Sequence, residues 1–155
     1  MMKQWLALCA IALLPMAAIA DDKAPYNEAA DAKAEVAAAL KQAQGSNKLA
    51  LVVFGANWCG DCKMLDAEMK KGELAKLVGE KYVVVKVDVG RFVKNLDVAE
   101  QTGTVLKKGI PAIAVLKPDG KPVYQTNGGE LADARKMGSA GVTKFFEEVA
   151  GRAKS

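Results

Sequence analysis

Apolar and polar positions alternate along the chain in a way that separates short strands from helices. Residues 49–54 form an unbroken apolar run rich in β-formers, as a strand covered on both faces requires. Residues 82–89 and 112–116 predict two further strands. The second of these stops at Lys117-Pro118-Asp119-Gly120, a turn sequence, and 122–126 returns as a short strand, so a hairpin is expected. Residues 27–44 are rich in Ala, Glu, Lys and Gln and predict a helix that Gly45 stops. A second helix is expected over 63–71, with Leu65 and Met69 on its inner face, then a short one over 73–78 and a polar one over 93–101. Val142, Phe145, Phe146 and Val149 follow the i, i+3, i+4, i+7 spacing of an amphipathic terminal helix. Before it, 127–141 holds Gly128, Gly129, Gly138 and Gly141 and reads as loop with at most a helical turn.

The order α, β, α, β, α, β, β, α implies an α/β fold: a central mixed sheet of about four strands flanked by helices. With 155 residues, 51% of them apolar, the chain suits a single domain with a real core. Neither an internal repeat nor a linker is visible.

The first residues belong to a different category. Lys3 precedes an apolar run from Trp5 to Leu14, and small residues follow up to Ala18-Ile19-Ala20. A basic tip, a short apolar core and an Ala-x-Ala ending describe a cleavable signal peptide over 1–20, with the mature domain spanning 21–155. The alternative is an uncleaved anchor, but the run is short for a bilayer, which takes about 20 apolar residues. Cys9 follows Leu8, a poor context for lipid attachment. Export to the periplasm is therefore expected.

Cleavage changes the cysteine arithmetic. Of three cysteines only Cys59 and Cys62 remain. A pair this close closes too short a loop to restrict the unfolded chain, so it calls for a chemical explanation. Zinc sites use Cys-x-x-Cys too, but a structural zinc takes four ligands, and the chain has no histidine and no second pair. No metal and no cofactor beyond the redox-active pair are expected. The pair sits where a buried strand gives way to a helix. Free N–H groups and the helix dipole there would favour a thiolate at Cys59, while Cys62, one turn in, would be buried. Cys59 can then attack a disulfide and Cys62 can resolve the mixed disulfide. Loss of the leader removes Lys3 and no acid, leaving 21 basic against 18 acidic residues, interspersed. Nothing in that pattern calls for nucleic acid.

The stretch from Val52 to Met64, Val-Val-Phe-Gly-Ala-Asn-Trp-Cys-Gly-Asp-Cys-Lys-Met, resembles the active-site strand and helix of the thioredoxin family. Lys108-Gly109-Ile110-Pro111-Ala112 resembles that family's cis-proline loop, in the right order just ahead of a strand. The similarity covers residues 49–126. It implies a thioredoxin-like fold and protein-disulfide oxidoreductase activity. It also implies a cis-proline at Pro111 beside Cys59, leaving the Ile110 backbone to pair with extended substrate; an ordinary trans-Pro opening a strand is the alternative. Trp58, Gly60, Asp61, Ile110 and Pro111 would form the substrate surface. Trp58 would be a half-exposed platform there, or else simple core packing.

Three departures stand out. The family's buried aspartate, thought to assist proton transfer at the second cysteine, is replaced by Val53, although its lysine neighbour persists as Lys86. Lys86 and Asp88 are the candidates for proton transfer. Glu68 is another acid within reach in sequence, and both it and Asp88 are expected to be solvated surface charges rather than the proton acceptor. The proline that bends the active-site helix is replaced by Ala67, so a straighter helix is expected. Residues 104–108 are additional, and the family's first edge strand lacks a counterpart.

Asp61 bears on direction, since a carboxylate beside a thiolate raises the thiolate pKa and so favours a reductant or isomerase over an oxidase. The expected partners are disulfide-containing exported proteins and a membrane electron donor, with the chain acting as a monomer. The competing readings are a dithiol oxidase and a non-catalytic thioredoxin-fold binding or chaperone module.

Overall fold

The computed structural model describes residues 24–153; the expected leader and the mature start near Asp21 lie outside them. The element order is α1 (Ala32–Ser46), β1 (Leu49–Gly55), α2 (Gly60–Glu68), α3 (Gly72–Lys81), β2 (Tyr82–Asp88), α4 (Leu96–Gln101), a 3-10 turn (Leu106–Lys108), β3 (Ala112–Leu116), β4 (Pro122–Gln125) and α5 (Ala134–Arg152).

The four strands form one mixed sheet in the order β2-β1-β3-β4. β1 runs parallel to β2 and antiparallel to β3, which pairs antiparallel with β4. Because side chains alternate along a strand, β1 feeds two cores. Val52 and Phe54 pack with Ala39 and Ala43 of α1 and with Val98 of α4. Leu51 and Val53 pack on the other face with Leu65 of α2, Val78 of α3 and Val142, Phe146 and Val149 of α5. The continuous apolar run of β1 reflects this double coverage.

Helix limits moved for identifiable reasons. α1 starts at Ala32, later than expected, because Asp31 caps it by accepting the Ala34 N–H at 3.1 Å. It runs past Gly45 and stops at Asn47, whose φ of 54° ends the helix in the left-handed region. The glycine-rich stretch is more helical than expected: a helical turn from Ala134 breaks at Gly138, where φ is 66°, and α5 continues beyond it. Ala67 lies within α2, which ends at Glu68. Of the additional residues 104–108, Leu106–Lys108 form the 3-10 turn ahead of β3.

Candidate active site

β1 delivers the chain directly into the site. Cys59 adopts extended backbone as the N-cap of α2, and its Sγ accepts the Cys62 N–H at 3.1 Å. The amide ends of the first helical turn therefore face this sulfur, and in the reduced protein they favour its thiolate. Cys59 and Cys62 are joined as a disulfide with Cα atoms 5.2 Å apart. Cys59 retains 6% exposure and Cys62 none, the asymmetry that separates an attacking from a resolving thiol.

The Ile110–Pro111 peptide bond is cis, and the Ile110 carbonyl oxygen lies 3.6 Å from Cys59 Sγ. Trp58 is 48% exposed beside the pair. Its indole N–H donates to the Gly90 carbonyl at 2.9 Å, its ring meets Phe92 edge-on at 6.2 Å, and the Arg91 guanidinium stacks 5.3 Å from its centre. These contacts hold an apolar surface at the rim instead of letting it collapse inward.

Asp61 departs from its expected electrostatic role. Its Oδ1 accepts the Arg135 backbone N–H at 2.9 Å and its Oδ2 the guanidinium at 3.1 Å. Burial works against the Asp61 charge, but these hydrogen bonds and the Arg135 charge outweigh it and hold the carboxyl below its ordinary pKa. The same guanidinium covers Gly60, where a Cβ would meet Arg135 Nη1 at 2.9 Å. A carboxylate paired to a cation repels a nearby thiolate little, so the argument from Asp61 for a reductant loses its force.

The candidates for proton transfer separate from one another. Lys86 stands in register with buried Val53, and its ammonium is paired with Asp66 of α2. Burial lowers the Lys86 pKa. Asp66 also accepts from Lys70 at 2.7 Å. Glu68 lies 3.5 Å from Lys71. Asp88 is not a solvated surface charge: it is only 5% exposed, in register with Gly55 at the end of β1 beside Cys62.

Sequence reasoning missed three residues. Asp66 had a signal, since it lies four residues after Cys62 and four before Lys70 on one helix. Arg135 had none, because it falls in a stretch read as loop. Tyr26 also had none: its backbone is pinned to the active-site turn by Asn57, which accepts the Tyr26 N–H at 2.9 Å and donates to its carbonyl at 2.8 Å. Among the described residues no group of His, Cys, Asp and Glu side chains could hold a metal ion.

Comparison with known proteins agrees with this geometry. The family model described as Thioredoxin-like matches residues 31–118. Thioredoxin of Bacillus subtilis (strain 168) is 36% identical over 86 residues, 56% of this chain and 74% of that protein. Thioredoxin of Mycolicibacterium smegmatis is 34% identical over 99 residues, 62% of this chain and 81% of that protein. The crystal structure of a disulphide isomerase from Xylella fastidiosa Temecula1 superposes with a TM-score of 0.79 at 43% identity, covering 83% of this chain and 98% of that one. The chain belongs to the thioredoxin-like family, as a protein-disulfide oxidoreductase with the Cys59–Cys62 pair.

Proposed function

We propose that this oxidoreductase works in the periplasm, reducing or isomerising disulfides in exported proteins, with electrons supplied by a membrane partner. The observation that carries the exchange chemistry is the position of Cys59 as the cap of α2, its sulfur on the Cys62 amide and the resolving sulfur sealed beneath. Export is supported by the leader pattern over 1–20. Action on disulfides already formed is supported by the likeness to the Xylella fastidiosa disulphide isomerase over nearly that whole chain. Trp58, Gly60, Asp61, Ile110 and Pro111 make the substrate surface in this reading, and the chain works as a monomer.

One observation favours the reverse direction. The Arg135 guanidinium neutralises Asp61 between the cysteines, which removes a repulsion against the Cys59 thiolate, and a less destabilised reduced form makes a stronger oxidant. Equilibration with glutathione decides between the two. A potential near those of reducing thioredoxins supports the proposal, and a markedly oxidising one favours the oxidase. Cell fractionation with N-terminal sequencing tests the location: a periplasmic chain starting near residue 21 is expected, and a cytoplasmic, unprocessed chain contradicts it.

A further inference from the structure

In a dithiol exchange the resolving cysteine must give up its proton, and Cys62 is sealed from solvent. The group that takes the proton must therefore belong to the protein and reach the sulfur from inside. β1 ends on Gly55, and this residue leaves a space. A Cβ there would lie 2.2 Å from the Tyr26 hydroxyl oxygen and 3.0 Å from Cys62 Sγ. Hydroxyl and sulfur thus border the volume of a single missing methyl group. Asp88 is the register partner of Gly55 on the neighbouring strand, about 4.8 Å away across the ladder. Its carboxylate is buried, and among the described residues Oδ2 has no hydrogen-bond partner. Burial first, then the Asp88 charge, raise the Tyr26 phenol above its ordinary pKa, so this hydroxyl keeps its proton and can donate it.

We infer that Tyr26 and Asp88 are the proton-transfer pair of Cys62, the Asp88 carboxylate receiving the Cys62 proton through the Tyr26 hydroxyl. The inference rests on the oxidoreductase reading above. In the first step the Cys59 thiolate attacks a substrate disulfide, an S–S bond forms to Cys59, and one substrate sulfur leaves as thiolate. In the second, the Cys62 proton passes to the phenol oxygen as the phenol proton passes to Asp88. The Cys62 thiolate attacks Cys59 Sγ, the bond from Cys59 to substrate breaks, and the second substrate sulfur leaves. The proton on Asp88 and one from solvent restore both substrate thiols. The two protein sulfurs lose two electrons and the substrate sulfurs gain them.

Lys94 Nζ, half exposed, lies 3.6 Å from Asp88 Oδ2 and is a cation that faces it. Glu28 is engaged by Asn57 at 3.0 Å. Lys86, two residues along β2, is held by Asp66. Asp66 is already engaged by two ammonium groups, those of Lys70 and Lys86.

A single-turnover experiment on the reduced protein, using a peptide disulfide with a fluorophore on one half and a quencher on the other, reads the two steps apart. Fluorescence reports the first step, and mass spectrometry of acid-quenched samples reports loss of the mixed disulfide. Tyr26→Phe should slow the second step about tenfold and Asp88→Asn about a hundredfold, the lower range for general acid–base catalysis. Neither should change the first step by more than about twofold. In both variants the second step should rise roughly tenfold per pH unit, as proton removal falls to hydroxide, while the wild-type profile is flatter. Asp88→Glu should recover part of the rate. Variants that keep the wild-type second step, or that slow both steps equally as a packing defect would, overturn the inference. A wild-type protein that forms no mixed disulfide fails at the first step, and that result overturns the oxidoreductase reading with it.

Discussion

Arg135, at the start of α5, grips Asp61 between the two cysteines through its backbone N–H at 2.9 Å and its guanidinium at 3.1 Å. The contact joins elements far apart in sequence and makes the charge beside Cys59 that of an ion pair. Arg135→Met should therefore raise the Cys59 thiolate pKa, because Asp61 is left unneutralised. Asp61→Asn should lower it, because the guanidinium is then unopposed. Ultraviolet absorbance of the thiolate against pH measures both. Shifts of the same sign in the two variants would contradict the pairing.

The same contact has a pH signature in stability. Asp61 has a depressed pKa in the folded state. Its contribution is therefore present above the unfolded value, about 3.9, and is lost as pH falls through the folded pKa. Solvent screening limits it to about 0.5 kcal/mol. Urea denaturation at neutral and acid pH should show Arg135→Met losing less stability on acidification than the wild type by about this amount.

Asp66 and Lys86 make a different kind of pair, with side chains only 12% and 20% exposed. Asp66→Ala strands the Lys86 ammonium and should cost about 2–3 kcal/mol, while replacing both partners with Leu and Met should cost less than the single change. Denaturant melts of the single and double variants check this. If Asp66 is structural, the second exchange step stays within about twofold of wild type in the double variant.

Phe146 fills the core between α5 and β1 with no exposure. Phe146→Ala should cost about 3–4 kcal/mol through the cavity it opens. Denaturant unfolding with an unchanged slope would show that stability alone is affected.

Much of this molecule can be read from its residues, and the unreadable part has a physical pattern. The strands were legible because double burial leaves an uninterrupted apolar run, as in β1 and β3. Cys59 and Cys62 were legible because strand-to-helix junctions and cysteine spacing are local features. The start of α1 was not, since it depends on which polar residue, Asn27 or Asp31, caps the helix. The electrostatics were least legible. Whether Asp61 acts as a free charge depends on Arg135, and whether Asp88 is solvated depends on Tyr26 and Gly55. These residues meet only after the chain has folded, so no local spacing announces them. Lys86 illustrates the limit well: the family pattern marked its position, but its partner came from Asp66 on a helix and not from the neighbouring strand.

Trapping with a Cys62→Ser variant tests the central claim most directly. With the resolving sulfur gone, Cys59 should accumulate as mixed disulfides that dithiothreitol releases, and adding Cys59→Ala to that variant should abolish them. If Cys62→Ser protein holds no disulfide-linked partner or probe peptide, Cys59 is not the attacking sulfur, and the assignment of the pair as the reaction centre is wrong.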